Sequence, residues 1–124
     1  MAGVDRVLVA GEPAKTISAP AQTSVGTTAG LVLPLNEKRK GFWLQNTGTT
    51  VLKLTFGSTM PTQTVYHVAL KAATGADDGT GGSYFEAAWV GPVNAISSGA
   101  GGTCVIAEVM TGNVNWNLAS DWGV

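Results

Sequence analysis

The chain has 124 residues, of which 44% are hydrophobic and only 12% charged, with a formal net charge of −1. A chain of this length supports one core that hides roughly two-thirds of its unfolded surface. The charged share is about half the usual one, and a net charge of −1 gives no long-range pull on nucleic acid. No Asp, Glu, Lys or Arg occurs between Lys15 and Glu37, between Lys53 and Lys71, or between Glu86 and Glu108. Monomers keep charge to stay soluble, so these neutral stretches favour a surface covered by neighbouring subunits.

Glycine and proline, 17 and 5 in number, punctuate the sequence every few residues, and no useful window has helical periodicity. The pattern is that of an all-β chain. Residues 1–30 read as an extended N-terminal arm with one or two short strands, at 6–10 and 16–19, broken at Gly11, Pro13 and Pro20. Asp5 and the short apolar runs of residues 1–10 fit neither a signal peptide nor a membrane span, so folding in a cytoplasm and no membrane partner are expected. Residues 31–35 are apolar but contain Pro34, which donates no ladder hydrogen bond and belongs at a sheet edge or strand end. Lys38, Arg39 and Lys40 read as the solvated start of the next strand.

Residues 42–57 predict a β-hairpin. Phe42 and Leu44 share one face of its first strand, and Leu52, Leu54 and Phe56 one face of its second, the period-2 signature of half-buried strands. Asn46 and Gly48 tolerate positive φ and would close the turn. Residues 64–71 form a third strand, with Tyr66, Val68 and Leu70 opposite His67, Ala69 and Lys71. Residues 75–82 compose a loop, and 83–90, 92–97 and 103–110 three further strands. Trp43 and Trp89 read as core. Residues 31–111 therefore form a single antiparallel β-sandwich, of jelly-roll or immunoglobulin-like type. Residues 112–124, carrying Trp116 and Trp122, form a C-terminal tail that docks on its own or a neighbouring subunit, because exposed tryptophan is unfavourable.

Groups that carry chemistry are sparse. Asp77 and Asp78 with Glu86 are the one acidic grouping; they allow a calcium site or an acid/base pair but lack the alternating order of an EF-hand loop, so a solvated turn is the simpler account. His67 is the single histidine and cannot supply the paired imidazoles of most catalytic zinc sites. Cys104 is the single cysteine, which excludes an intrachain disulfide and a cysteine-type zinc site. A pairing of Ser or Cys104 as nucleophile with His67 as base has no support in the spacing, and Cys104 reads as a small hydrophobe. Residues 99–103 lack the Lys-Ser/Thr ending of a phosphate-binding loop. No catalytic, cofactor-binding or metal residue is assigned, and no cofactor.

Three segments, Gly41-Phe42-Trp43-Leu44-Gln45-Asn46-Thr47-Gly48-Thr49-Thr50, Val65-Tyr66-His67-Val68-Ala69-Leu70-Lys71 and Asp77-Asp78-Gly79-Thr80-Gly81-Gly82, resemble small structural proteins of tailed bacteriophages. The resemblance covers roughly residues 40–110. It implies a non-enzymatic capsid decoration or cement protein on the virion surface, made in the host cytoplasm. The partners it implies are the major capsid protein and other copies of the chain, a trimer being one candidate form. Two other functions are compatible with the sequence: a tail- or fibre-associated adaptor or carbohydrate-binding module built on Trp116 and Trp122, and a small hydrolase using Asp77, Asp78 or Glu86.

Overall fold

The computed structural model describes residues 15–111. Within them lie β1 (Lys15–Ile17), β2 (Ala21–Val25), β3 (Gly30–Leu33), β4 (Arg39–Asn46), β5 (Leu52–Phe56), β6 (Val68–Leu70), β7 (Ser83–Ala87), β8 (Val93–Ser97) and β9 (Gly102–Thr111). Two antiparallel sheets pack face to face. The first has the order β1-β9-β4-β7, with β2 also on β9, and the second the order β3-β8-β5-β6. Except for the pair β5 and β6, the eight strands β2 to β9 alternate between the sheets, the order of a jelly roll. An immunoglobulin-like sandwich would keep several sequence neighbours side by side in one sheet; here only β5 and β6 do so. β1 and β2 lie end to end along β9, separated by a break that contains Pro20, whose ring nitrogen has no proton for the ladder.

The core between the sheets holds Val25, Leu33, Phe42, Leu44, Leu52, Leu54, Leu70, Val93, Ala95, Cys104 and Ile106. The inward faces expected of residues 42–44 and 52–56 are thus correct, but the hairpin is not. β4 pairs with β9 and β7, β5 pairs with β8 and β6, and the two strands face each other across the core, Phe42 and Phe56 having ring centroids 6.3 Å apart. Alternation fixes which side of a strand is apolar and is indifferent to whether the next strand lies beside it or opposite. The turn depends on the Asn46 side chain, and neither Asn46 nor Gly48 has positive φ. The buried Asn46 amide donates to the carbonyls of Thr50 at 2.7 Å, Lys71 at 3.1 Å and Leu70 at 3.2 Å, and its oxygen accepts from the Gly48 N–H at 3.0 Å. These bonds carry the chain over the end of the sandwich.

The third expected strand is shorter than its alternation suggests. Only Val68–Leu70 pairs, while Val65 and Tyr66 belong to a loop, residues 57–67, that folds over the outer face of the second sheet. There Asn94 donates to the carbonyl of Gly57 at 2.8 Å, the Gln63 amide to the carbonyl of Ser97 at 2.9 Å, and the Lys53 ammonium to the carbonyl of Gln63 at 2.6 Å while lying 5.3 Å from the centre of the Tyr66 ring. Every residue of β8 is consequently buried, on its outer as well as its inner side.

One end of the core is closed by Arg39, which is 1% exposed and not a solvated strand start. Its Nε donates to Glu108 Oε2 at 2.7 Å, Nη1 to the carbonyls of Gly91 at 2.8 Å and Trp89 at 3.3 Å, and Nη2 to that of Pro34 at 2.6 Å. Its guanidinium carbon lies 5.7 Å from the centre of the Phe42 ring. Removing one member of a buried pair leaves the other charge uncompensated at about 3–5 kcal/mol. Glu108→Ala is therefore expected to lower unfolding stability by about 3 kcal/mol in urea melts. Arg39→Ala, which also strands three carbonyls, should cost at least as much.

Candidate functional site

The groups that could have carried catalysis are held apart and already engaged. Asp78 turns back on its own loop: Oδ2 accepts from the Gly75 N–H at 2.7 Å, and Oδ1 from the Thr80 N–H at 2.9 Å and the Thr80 hydroxyl. The Thr80 hydroxyl, followed by these amides, holds the carboxyl below the ordinary aspartate value. Asp77, at φ 60°, accepts from the Gln22 amide at 3.1 Å. Glu86 stands elsewhere, on β7, where it accepts from the Tyr84 hydroxyl at 2.6 Å; that bond, with burial and the carboxylate's charge, raises the phenol above its ordinary value. His67 stacks on Phe56 with centroids 5.5 Å apart, and its Nδ1 accepts the Phe56 N–H at 3.0 Å. Cys104 is wholly buried on β9, in the opposite sheet from the one His67 adjoins, and burial pushes its thiol up to about 12. Among the described residues no three of His, Cys, Asp and Glu gather into a metal-binding group. A cavity of about 180 Å³ between β2 and β3, lined by Ser24, Val25 and Leu31 among others, is smaller than the usual small-molecule site.

What the fold does assemble is an apolar surface on the outside of the first sheet. Strand pleating puts residues two apart on one face, so burial of Phe42, Leu44, Cys104 and Ile106 inside forces Gly41, Trp43, Val105, Ala107 and Val109 outside. Register then lines up two rows. Ile17, Val109, Gly41 and Ala87 are successive partners across four strands, and Ala107, Trp43 and Phe85 across three. Phe85 is 60% and Ile17 65% exposed, and Trp43 half-buried. Gly41 makes room for the Phe85 ring, since a Cβ there would lie 3.3 Å from Phe85 Cζ.

The next row, Ser83, Gln45, Val105 and Gln22, is covered by the acidic loop. Gln45 donates to the carbonyls of Gly79 at 3.1 Å and Gly81 at 3.2 Å, beside the Gln22 to Asp77 bond. Among the described residues the outer face is thus polar and bridged by the acidic loop at one end and apolar at the other, where Phe85, Ile17 and Ala87 are exposed and Gly41 and Ala107 lie buried between their neighbours. Trp43, expected in the core, belongs to this face. Alternation at residues 42–56 marks the inner side of each strand, whereas Trp43 belongs to the other side. Val105, Ala107 and Val109 alternating with Cys104 and Ile106 make β9 apolar on both sides, the signal of a strand covered on both faces.

No protein-family model and no curated protein matches the chain. A solved structure of the Bacillus endospore appendages, a family of disulfide-linked pili, matches with a TM-score of 0.50 at 15% identity, covering 88% of this chain and 98% of that one. The chain shares its fold with a pilus protein. At this identity the likeness is one of β-sandwich architecture, and the residues carry no function across.

The disulfides named for that pilus family have no counterpart among the described residues, where Cys104 is fully buried. A buried, protonated thiol is inert. Cys104 is expected to resist a thiol reagent at pH 8 in the native protein and to react at once in urea, read by colorimetric titration. Rapid native labelling would contradict the burial. For Asp78 the folded value lies below the unfolded one, so its small stabilising effect is complete above about pH 4 and fades as pH falls through the folded value. In an NMR titration Asp78 should ionise below the ordinary 3.8, and Thr80→Ala should move it up towards that value.

Proposed function

We propose that this chain is a non-enzymatic structural subunit whose apolar outer sheet face is buried against neighbouring subunits, and that its specific role is to decorate or cement a bacteriophage capsid. The observation that carries the structural role is the pair of rows formed by Ile17, Val109, Gly41 and Ala87 and by Ala107, Trp43 and Phe85. A contiguous apolar patch on an otherwise neutral surface is what protein interfaces are built around, with an aromatic centre and a polar rim. Of the positions that register places on this outer face, only Lys15 is charged, and it stands at a corner. Contact there desolvates no unpaired charge, which would cost several kcal/mol.

The capsid role is supported by the phage-like segments of residues 40–110 and, by analogy, by the jelly roll, an architecture viral shells use. The partners in this role are the major capsid protein and further copies of the chain, and the location is the virion surface. The carbohydrate-binding alternative rests on Trp116 and Trp122, which lie outside the described residues and so gain no observation in its favour.

Phe85→Glu tests the reading, because an exposed position on an edge strand tolerates charge without loss of the fold. The variant is expected to melt within about 1 kcal/mol of the parent yet to lose at least about tenfold in affinity for itself and for capsid shells, measured by sedimentation velocity and by pelleting with shells. Undiminished self-association and shell binding of the variant would overturn the reading.

A further inference from the structure

The apolar rows end at the β7 strand edge. Among the described residues β7 pairs with β4 alone, so its outward N–H and C=O groups can template another strand. The two sides of that edge differ in chemistry. Phe85 and Ala87 lie on the outer, apolar face, and Tyr84 and Glu86, joined by their hydrogen bond, on the other. The strand that matches this edge is apolar on one face and amide or hydroxyl on the other.

Such a strand is written immediately after β9. Residues 112–118 are Gly-Asn-Val-Asn-Trp-Asn-Leu, so Val114, Trp116 and Leu118 alternate with Asn113, Asn115 and Asn117 at the period of a strand. Gly112-Asn113 is hairpin-turn chemistry, but β9 has no edge for a hairpin partner. β4 occupies one side and β1 the other, with pairing that extends to Lys15↔Thr111. In the same copy, the position beyond β7 is three strand spacings from β9, about 14 Å, whereas the three steps from Thr111 to Val114 reach at most about 10 Å.

Resting on the assembly reading above, we infer that residues 113–118 of one copy add to the β7 edge of a second copy. Trp116 then lies against Phe85 and Trp43, and the asparagines face the Tyr84–Glu86 side. Each copy donates one strand and accepts one, a head-to-tail contact that closes into a ring or continues as a filament.

The test compares the full chain, a variant lacking residues 112–124, Trp116→Ser and Phe85→Glu by light scattering after size exclusion. It adds a synthetic 112–124 peptide titrated onto the truncated protein and followed by amide NMR. The full chain is expected to be multimeric and the truncated protein a folded monomer. The peptide should shift the amides of β7 and Trp43, and Trp116→Ser should weaken self-association at least about tenfold. If truncation prevents folding, Asn115→Pro and Trp116→Pro are each made in the full chain, one of which removes a ladder N–H because successive N–H groups point to opposite sides of a strand, and at least one should give the same loss. A multimeric truncated protein, peptide shifts mapping away from β7, or a monomeric full chain would overturn the inference. Multimers lost in Phe85→Glu but kept after truncation would leave the assembly reading standing and remove the tail as occupant.

Discussion

The buried guanidinium of Arg39 is the constraint on which this end of the sandwich depends. It ties together the segment after β3 through Pro34, the segment before β8 through Trp89 and Gly91, and β9 through Glu108. A cation with no exposed surface is tolerable only when its donors are matched, and the forked geometry of arginine matches four acceptors where an ammonium would not. Asn36 extends the arrangement by donating to Glu108 at 3.4 Å. Because Glu108 points inward to meet Arg39, Val109 points outward. The pleat therefore turns one buried ion pair into one outward, half-buried valine, and the same alternation around Phe42 places Gly41 and Trp43 on the outer side.

The result is a sandwich whose two outer faces are treated differently. The second sheet is crossed by residues 57–67, which bond the buried polar groups of β8 and bury its outer side, while Met60, Val65 and Tyr66 of that loop are themselves exposed. On the first sheet the acidic loop covers only the glutamine row, because Gln22 and Gln45 are the outward side chains its carbonyls and Asp77 can satisfy. Beyond that row the outward side chains, apart from the Trp43 indole and Lys15 at the corner, have no hydrogen-bonding groups to anchor a loop, and apolar surface remains. An interface, on this argument, is placed by where the chain's own loops find polar partners and where they do not.

The same economy of polar groups ties the chemistry-bearing side chains of the described residues to local partners. The Asp78 carboxylate is occupied by its own loop, the His67 Nδ1 by a backbone amide and the Glu86 carboxylate by Tyr84, while Cys104 packs among core aliphatics. Each serves local order. The likeness to a pilus protein is one of fold alone, so function must be argued from the faces and edges of this chain.

By itself the sequence determined that the chain is all-β, which side chains of residues 42–56 face the core, that a strand stops near Pro34, and that charge is scarce over most of the surface. These follow from local rules: pleat alternation, proline geometry and composition act over a few residues. Tertiary structure alone decided that β4 and β5 belong to opposite sheets, that Arg39 of a basic triplet is buried while Lys38 and Lys40 are exposed, and that Trp43 lies outside the core. Those outcomes hinge on partners 24 to 69 residues away, Leu70 for Asn46, Trp89 and Glu108 for Arg39, Phe85 and Ala107 for Trp43. Alternation records which side of a strand is apolar, and only packing decides what that side meets.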